Sequence, residues 1–248
     1  MFRPRLALAS LSGEADADWA RDGAAHVGCA FLGGVSLDEP TRAAARRLVD
    51  RDRSEFLPTD PVAFVDAQLG ALVDVPIRPA FNVRTTSLAA TERAAQVCAD
   101  HDAMLEVNAH CRQDEMCAAG AGEALLRRPD RLADHVRAAS DTGAAVSVKV
   151  RAEVDGVDLP AVAAAVDDAG GAAIHVDAMD AEPVVADVAD AASLFVVANN
   201  GVRGRPSARE YFEYGADAVS VGRASDDVGV LRAVRAEAEE WVGREVTR

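Results

Sequence analysis

A closed, eight-stranded (β/α)8 barrel of the TIM type is the α/β fold this sequence predicts, on three observations. Eight short apolar, β-branched runs recur along the chain, alanine-rich helical stretches separate them, and no Gly-x-Gly-x-x-Gly turn follows the first run. Strands that alternate with helices pair in parallel through right-handed crossovers. Eight such units in 248 residues match the roughly 250 residues that a TIM barrel needs. An open doubly wound sheet is the competing architecture, and the missing phosphate turn counts against it. No linker or low-complexity stretch interrupts residues 1–248, which read as one domain.

The expected strands are LALASL (6–11), VGCAFLG (27–33), PIRPAF (76–81), MLEVN (104–108), AVSVKVR (145–151), AAIHVD (172–177), LFVVAN (194–199) and AVSVG (218–222). Between them, TRAAARRLVDRD (41–52), AATERAAQVCADH (89–101), PDRLADHVRAASDTG (129–143), LPAVAAAVDDAGG (159–171) and SAREYFEYGAD (207–217) carry helix-forming alanine, leucine and arginine. The long connection 34–75, with its DEP, LPTDP and VDAQLG segments, is expected to hold an extra helix or a lid.

Composition narrows the class. The chain is 50% hydrophobic but only 4% aromatic, which suits helices packed closely on a sheet better than an aromatic β sandwich. Its net charge is -15, with 41 acidic residues scattered along the chain, a pattern that reads as a solvated folded surface adapted to high salt. Such a charge opposes sequence-independent nucleic-acid binding, because phosphate contacts need cations. The four cysteines form no CxxC pair and suggest a reducing compartment. No signal-like or membrane-length apolar run is present, so a cytoplasmic protein with no membrane partner is expected. Assembly into a homo-oligomer is left open.

In a TIM barrel, chemistry sits at the C-terminal ends of the strands. Those ends carry Ser10 and Gly13 after the first strand, Asn82 after the third, and Asn108, His110 and Cys111 after the fourth. They continue with Lys149 and Arg151 on the fifth, His175 and Asp177 on the sixth, Asn199 to Gly201 after the seventh, and Gly222 and Arg223 after the eighth. Lys149 is the sole lysine; every other residue among the 26 Lys+Arg is arginine. Strand alternation sends Val146, Val148 and Val150 toward the helices and Ser147, Lys149 and Arg151 toward the barrel interior. An inward lysine is costly without an anion or an electron-rich partner. Three roles suit it: an ion pair with an interior carboxylate such as Glu106, a Schiff-base nucleophile, or a cation beside the pyrimidine edge of a flavin.

The stretches NNGVRG (199–204) and SVGRA (220–224) follow the last two strands, where barrels commonly hold phosphate. Asn and Gly there permit positive φ and free backbone N–H groups, and Arg223 is a candidate clamp. In LEVNAHCRQDEMCAAGAGEALLRRP (105–129), Cys111 lies in a polar loop beside His110 and Arg112, which fits an acid or nucleophile. No second Cys/His pair has ligand spacing, so no metal is expected. Cys29, Cys98 and Cys117 are expected to be buried in apolar surroundings.

The order NAHC, GAGEALLRRP, VKVR, IHVD, ANNG and SVGRA resembles the tRNA-dihydrouridine synthases, over residues 104 to 224. The resemblance implies an FMN-dependent barrel oxidoreductase that takes electrons from NADPH or NADH and reduces the C5–C6 bond of uracil in tRNA. Hydride would go to C6, and Cys111 would donate the proton to C5 of a base flipped into the pocket. The resemblance places Lys149 and His175 at the flavin, Asn108 and Arg151 at the substrate, and Asn200, Gly201, Gly222 and Arg223 at the FMN phosphate.

Departures from the family pattern are equally specific. His110 and Arg112 flank Cys111 where the family has Gly and Pro, and the strand-three glutamine is missing from IRPAFN. HVDA stands for His-Gly-Arg-Thr, and NGVR for Asn-Gly-Asp-Ile. With 26 residues after Gly222, the family's C-terminal helical domain is expected to be absent. Three alternatives therefore stand beside tRNA reduction: a smaller pyrimidine as substrate, an enzyme resembling dihydroorotate dehydrogenase, and a degenerate barrel that serves as a binding module.

Overall fold

Alternation along each strand decides the two surfaces of the sheet. The computed structural model describes residues 1–246, and the strands are β1 (Leu6–Leu8), β2 (Cys29–Ser36), β3 (Arg78–Arg84), β4 (Met104–Asn108), β5 (Ala145–Arg151), β6 (Ala173–Asp177), β7 (Phe195–Asn199) and β8 (Ala218–Val221). They close in chain order, all parallel, with β1 pairing to β8 through Leu6 and Val219. Val146, Val148 and Val150 join the outer core with Leu105, Ile174 and Val219, against the helices. Each such burial contributes about 1.5–3 kcal/mol.

The inner surface changes character with height. Phe2, Ala7, Cys29, Phe31, Met104 and Val197 fill the lower end with apolar groups. Above them comes a polar layer of Asn82, Glu106, Ser147, His175 and Ser220, all buried. Lys149 and Asp177 stand above that layer, at the C-terminal mouth. A packed lower barrel under an open upper mouth restricts chemistry to one end.

The ring of helices comprises α1 (Ala17–Gly23), α2 (Glu39–Val49), α3 (Pro61–Gly70), α4 (Leu88–Asp100), α5 (Asp114–Ala118), α6 (Glu123–Leu126), α7 (Pro129–Ser140), α8 (Leu159–Asp168), α9 (Val184–Ala191), α10 (Arg205–Glu213) and α11 (Val228–Val246). Their starts are written in side chains. Asp16, Asp38, Asp60, Ser87 and Asp158 each accept a backbone N–H of the first turn. Prolines at the first helical positions supply the preset φ of α2, α3, α7, α8 and α10. The DEP and TDP segments of the long connection are therefore helix starts. They give α2 and an additional α3, and residues 50–60 between these helices run beside the barrel mouth. Gly13 permits that approach: at φ 74° a Cβ there would lie 2.6 Å from the backbone of Ser54 and Glu55. The buried Arg84 holds the same segment, ion-paired to Glu55 at 2.8 Å and bonded to Ser12 Oγ at 2.6 Å.

Asp38 does more than cap α2. It accepts from Thr41 N and Oγ1, and its second oxygen accepts from Thr85 Oγ1, Thr86 N and Thr86 Oγ1 at 2.6–3.0 Å. Burial pushes its carboxyl up, but these hydrogen bonds outweigh burial and hold it below the usual carboxylate range. Asp38→Ala is expected to destabilise the fold by about 2–3 kcal/mol, a lost cap plus lost charge-assisted bonds. A depressed folded-state pKa means this stability is present above the unfolded value, near pH 4, and is lost as pH falls through the folded one. Denaturant midpoints for both proteins at pH 7 and in acid check this, since the gap between them should narrow in acid.

Candidate active site at the barrel mouth

A cavity of about 580 Å³ opens at the C-terminal end of the strands, within the ordinary range for small-molecule sites. Lys149, Asp177 and Ser220 line its floor, and residues 199–203 and 222–224 form one rim. Ser10 to Ser12 face Asp52 to Ser54 across the other side, and His110 completes the wall.

Lys149 is 4% exposed, and among the described residues no carboxylate lies within 4.0 Å of its ammonium. The Glu106 ion pair considered for it does not form. Glu106 instead accepts from Asn82 Nδ2 at 2.7 Å and meets His175 Nδ1 at 2.8 Å. Burial pushes Glu106 up, yet His175, then Lys149 and Asn82, hold it below the usual carboxylate range. Burial dominates at His175 and lowers its pKa. The pair is thus an anionic Glu106 with a neutral His175 that donates through Nδ1 and accepts from Ser220 Oγ, 2.8 Å away, at Nε2. Lys149 balances that buried charge from above while its head group stays free on the cavity floor.

The rim is built from two loops. Asn200 and Gly201 both have positive φ, 87° and 64°. Tyr211 donates to the Asn200 carbonyl at 2.9 Å, and Asn200 Nδ2 donates to Asp177 Oδ1 at 2.8 Å. Among the described residues, no acceptor takes the backbone N–H of Gly201, Gly222 or Arg223. A Cβ at Gly201 or Gly222 would meet nothing within 4 Å, so both glycines face open space. Free amides beside an arginine form a ready anion cradle.

The residues singled out in the sequence separate into two groups. Lys149, Asn200, Gly201, Gly222 and Arg223 converge on the cavity. His175 is fully buried beneath it, its ring tilted 39° against that of Phe31 with centroids 4.7 Å apart. Asn108 is a brace: it donates to Asn82 Oδ1 at 2.9 Å, and its own Oδ1 accepts the backbone N–H of His110 and Cys111. Arg151 lines a second space of about 440 Å³, between the end of β5 and residues 152–160. Cys111 sits against Ala44, Leu48, Met116 and Ala121. Cys29 and Cys98 are buried and Cys117 is half-buried; burial pushes the Cys98 thiol up to about 12.

Two features of the site escape sequence reading. The wall from Asp52 to Ser54 had only the LPTDP segment as its signal. The contact of His110 Nε2 with Asp177 Oδ2, at 2.5 Å, joins residues 67 apart, one in the loop after β4 and one at the end of β6, strands that are not neighbours. Burial pushes Asp177 up, but the hydrogen bond from His110, its charge, Asn200 and Lys149 together hold the carboxyl far below its usual range.

Fold and site together define a TIM-barrel protein whose C-terminal mouth offers a cationic floor and an amide-lined rim, a place suited to an anionic cofactor. Solved structures agree on the fold. They include TcOYE with pHBA (TM-score 0.71, 10% identity, covering 97% of this chain and 90% of that one) and morphinone reductase in complex with tetrahydroNAD (TM-score 0.64, 13% identity, 92% and 86%). FabK (M276A) from Thermotoga maritima is similar at TM-score 0.59 and 13% identity, over 89% of this chain and 61% of that one. An uncharacterized protein of Methanocaldococcus jannaschii is 24% identical over 149 residues, which is 59% of this chain and 58% of that relative. Residues 80–240 match the dihydrouridine synthase family (Dus). The chain belongs to that family.

Proposed function

We propose that this protein is an FMN-dependent oxidoreductase that reduces the C5–C6 bond of a uracil ring, on tRNA or in a smaller pyrimidine, with electrons from NADPH or NADH. The observation that carries this reading is the lone lysine, buried yet unpaired, on the floor of a cavity with an amide cradle at its rim. Glu106 and Asp177 offset part of its desolvation from a distance, but a cation with no carboxylate in direct contact is poorly placed for stability alone. The donor set fits FMN, with N–H groups and an arginine for a phosphate and an ammonium for an electron-rich ring edge. Bound in such a site, FMN supplies a two-electron carrier between a nicotinamide and an unsaturated carbon.

The chain's own residues then have distinct tasks. Gly201, Gly222 and Arg223 hold the phosphate and fix the orientation of the ring. Lys149 stabilises negative charge at the ring edge, kept upright by Glu106 below. His175 and Asn82 hold Glu106 in turn, so His175 acts on the cofactor through Lys149. Asn108 sets the path of the His110–Cys111 loop over the cavity. The net charge of -15 weighs against broad contact with a polyanion and favours the smaller pyrimidine.

The experiment is anaerobic. FMN-loaded protein is reduced with NADPH or NADH, then mixed with unmodified tRNA, with UMP, or with dihydrouridine monophosphate. Return of the oxidised flavin band with a uracil-bearing compound, and not with its dihydro form, is expected. Reduced protein left unoxidised by either uracil source would overturn the substrate assignment. Mapping dihydrouridine across the tRNA pool of a deletion strain separates the two sources.

A further inference from the structure

We propose that His110, oriented by Asp177, exchanges the proton with the substrate in the cavity, in the place that the family resemblance gives to Cys111. The inference rests on the functional reading above and concerns which side chain serves it. Three observations carry it.

The first is position. His110 lines the cavity wall, with its side chain 30% exposed. Cys111 does not reach that wall. Its carbonyl accepts from Glu123 N at 2.9 Å, and a Cβ on Gly122 would stand 2.3 Å from the same oxygen. The cysteine is thus fastened into the corner of α5 and α6, against the apolar cluster of α2.

Orientation is the second. Both Asp177 oxygens are committed, Oδ1 to Asn200 and Oδ2 to His110 Nε2. The carboxylate therefore fixes the imidazole through one nitrogen and leaves Nδ1 for another partner. A histidine held by a carboxylate on one nitrogen and open on the other is the working arrangement of a proton-transfer group. Asp177 also occupies the position where the family pattern has arginine, so the exchange at 177 and the histidine at 110 complete each other.

Charge is the third. His110 is faced by Asp177 and His175 on β6 and by Lys149 and Arg151 on β5. Burial lowers its pKa, the hydrogen bond and charge of Asp177 oppose this, and Lys149 and Arg151 add to the lowering. The imidazolium is consequently a stronger acid than an ordinary histidine.

The step balances as follows. Saturating C5–C6 requires a hydride, from the flavin reduced by a nicotinamide, and a proton. As the hydride adds at C6, the C5–C6 π electrons form the new C5–H bond. The imidazolium Nδ1–H bond breaks and leaves a neutral ring whose Nε2–H remains on Asp177. Solvent at the open side of His110 restores the proton.

Two measurements test this. The first is an NMR titration of the histidine Cε1–H signals in the flavin-free protein. The His110 midpoint is expected below the ordinary value near 6.5, lower still in Asp177→Asn, and little changed in Cys111→Ala. An unmoved midpoint in Asp177→Asn would show the pair uncoupled and overturn the proposal. The second follows reoxidation of reduced, FMN-loaded protein by a uracil substrate. His110→Gln is expected to bind FMN and accept electrons from NADPH normally but to reoxidise about 10²–10⁴-fold more slowly. In the wild type the rate should fall as pH rises through the His110 midpoint, because the protonated form is required. His110→Gln should lose that inflection and Cys111→Ala should keep it. Arrested reoxidation in Cys111→Ala with a normal rate in His110→Gln would overturn the proposal. Failure of the wild type to bind FMN or accept electrons would remove the functional reading and this inference with it, an outcome distinct from a defect confined to reoxidation.

Discussion

A Lys149→Met variant is expected to bind FMN about 10–100-fold more weakly than the wild type. Methionine keeps most of the stem that crosses the barrel interior and removes only the ammonium. A hydrogen bond to a charged group contributes about 1.5–3 kcal/mol, and each 1.4 kcal/mol is tenfold in affinity. Any flavin that does bind should be harder to reduce, since the positive charge that stabilises the reduced ring has gone. A second consequence follows from the layer below. Glu106 loses the positive charge above it, so its carboxyl should titrate at higher pH than in the wild type. Fluorescence quenching on FMN titration reads the first effect, a dithionite titration the second, and a melting curve shows that the barrel persists. Unchanged affinity and unchanged ease of reduction would place Lys149 in a purely structural role.

Gly222→Asp is expected to abolish the preference for FMN over riboflavin. The Gly222 Cβ position is open, with nothing within 4 Å, so the fold has no steric reason to object. The new carboxylate would stand in the cradle formed by Gly201, Arg223 and residue 222 itself. Two like charges about 5 Å apart at an effective dielectric near 20 repel by about 3 kcal/mol, which is roughly 100–300-fold in affinity. Riboflavin lacks the phosphate, so its binding should change far less. A variant that lost both ligands equally would point to a distorted rim instead of a phosphate site.

These outcomes were only partly legible in the sequence. The bounds of β4 and β5 follow directly from MLEVN and AVSVKVR, since apolar alternation stops at a turn at both ends. Strand β3 runs three residues past the expected 76–81, to Arg84, because Asn82 and Arg84 are polar on an interior surface. A polar residue inside a barrel looks like a strand end. Helices α1 and α9 were not expected: ADWARDG and VVADVADA carry aspartates at a spacing that hides the buried Ala17, Ala20, Val185 and Val188.

The site divides along the same physical line. Period-two alternation gives the face of a strand residue but not its height in the barrel. Alternation sends Lys149 inward and the family resemblance places both Lys149 and His175 at the flavin, yet only Lys149 reaches the cavity. Their registers explain little by themselves, because Lys149 and His175 are paired across β5 and β6. The difference is length: the lysine stem extends upward, whereas the imidazole is held level by Glu106 and Ser220. The contact of His110 with Asp177 was invisible because it spans β5, and no linear spacing marks a residue pair that closure of the sheet creates.

The most direct measurement of the central claim is a parallel titration of the purified wild-type protein with FMN and riboflavin, followed by flavin fluorescence. One equivalent of FMN bound at least about 100-fold more tightly than riboflavin is the expected result, given two or more cradle hydrogen bonds to a charged phosphate at about 1.5–3 kcal/mol each. No quenching by FMN, or equal affinity for the two flavins, would contradict a flavin held between Lys149 and the rim of Gly201, Gly222 and Arg223.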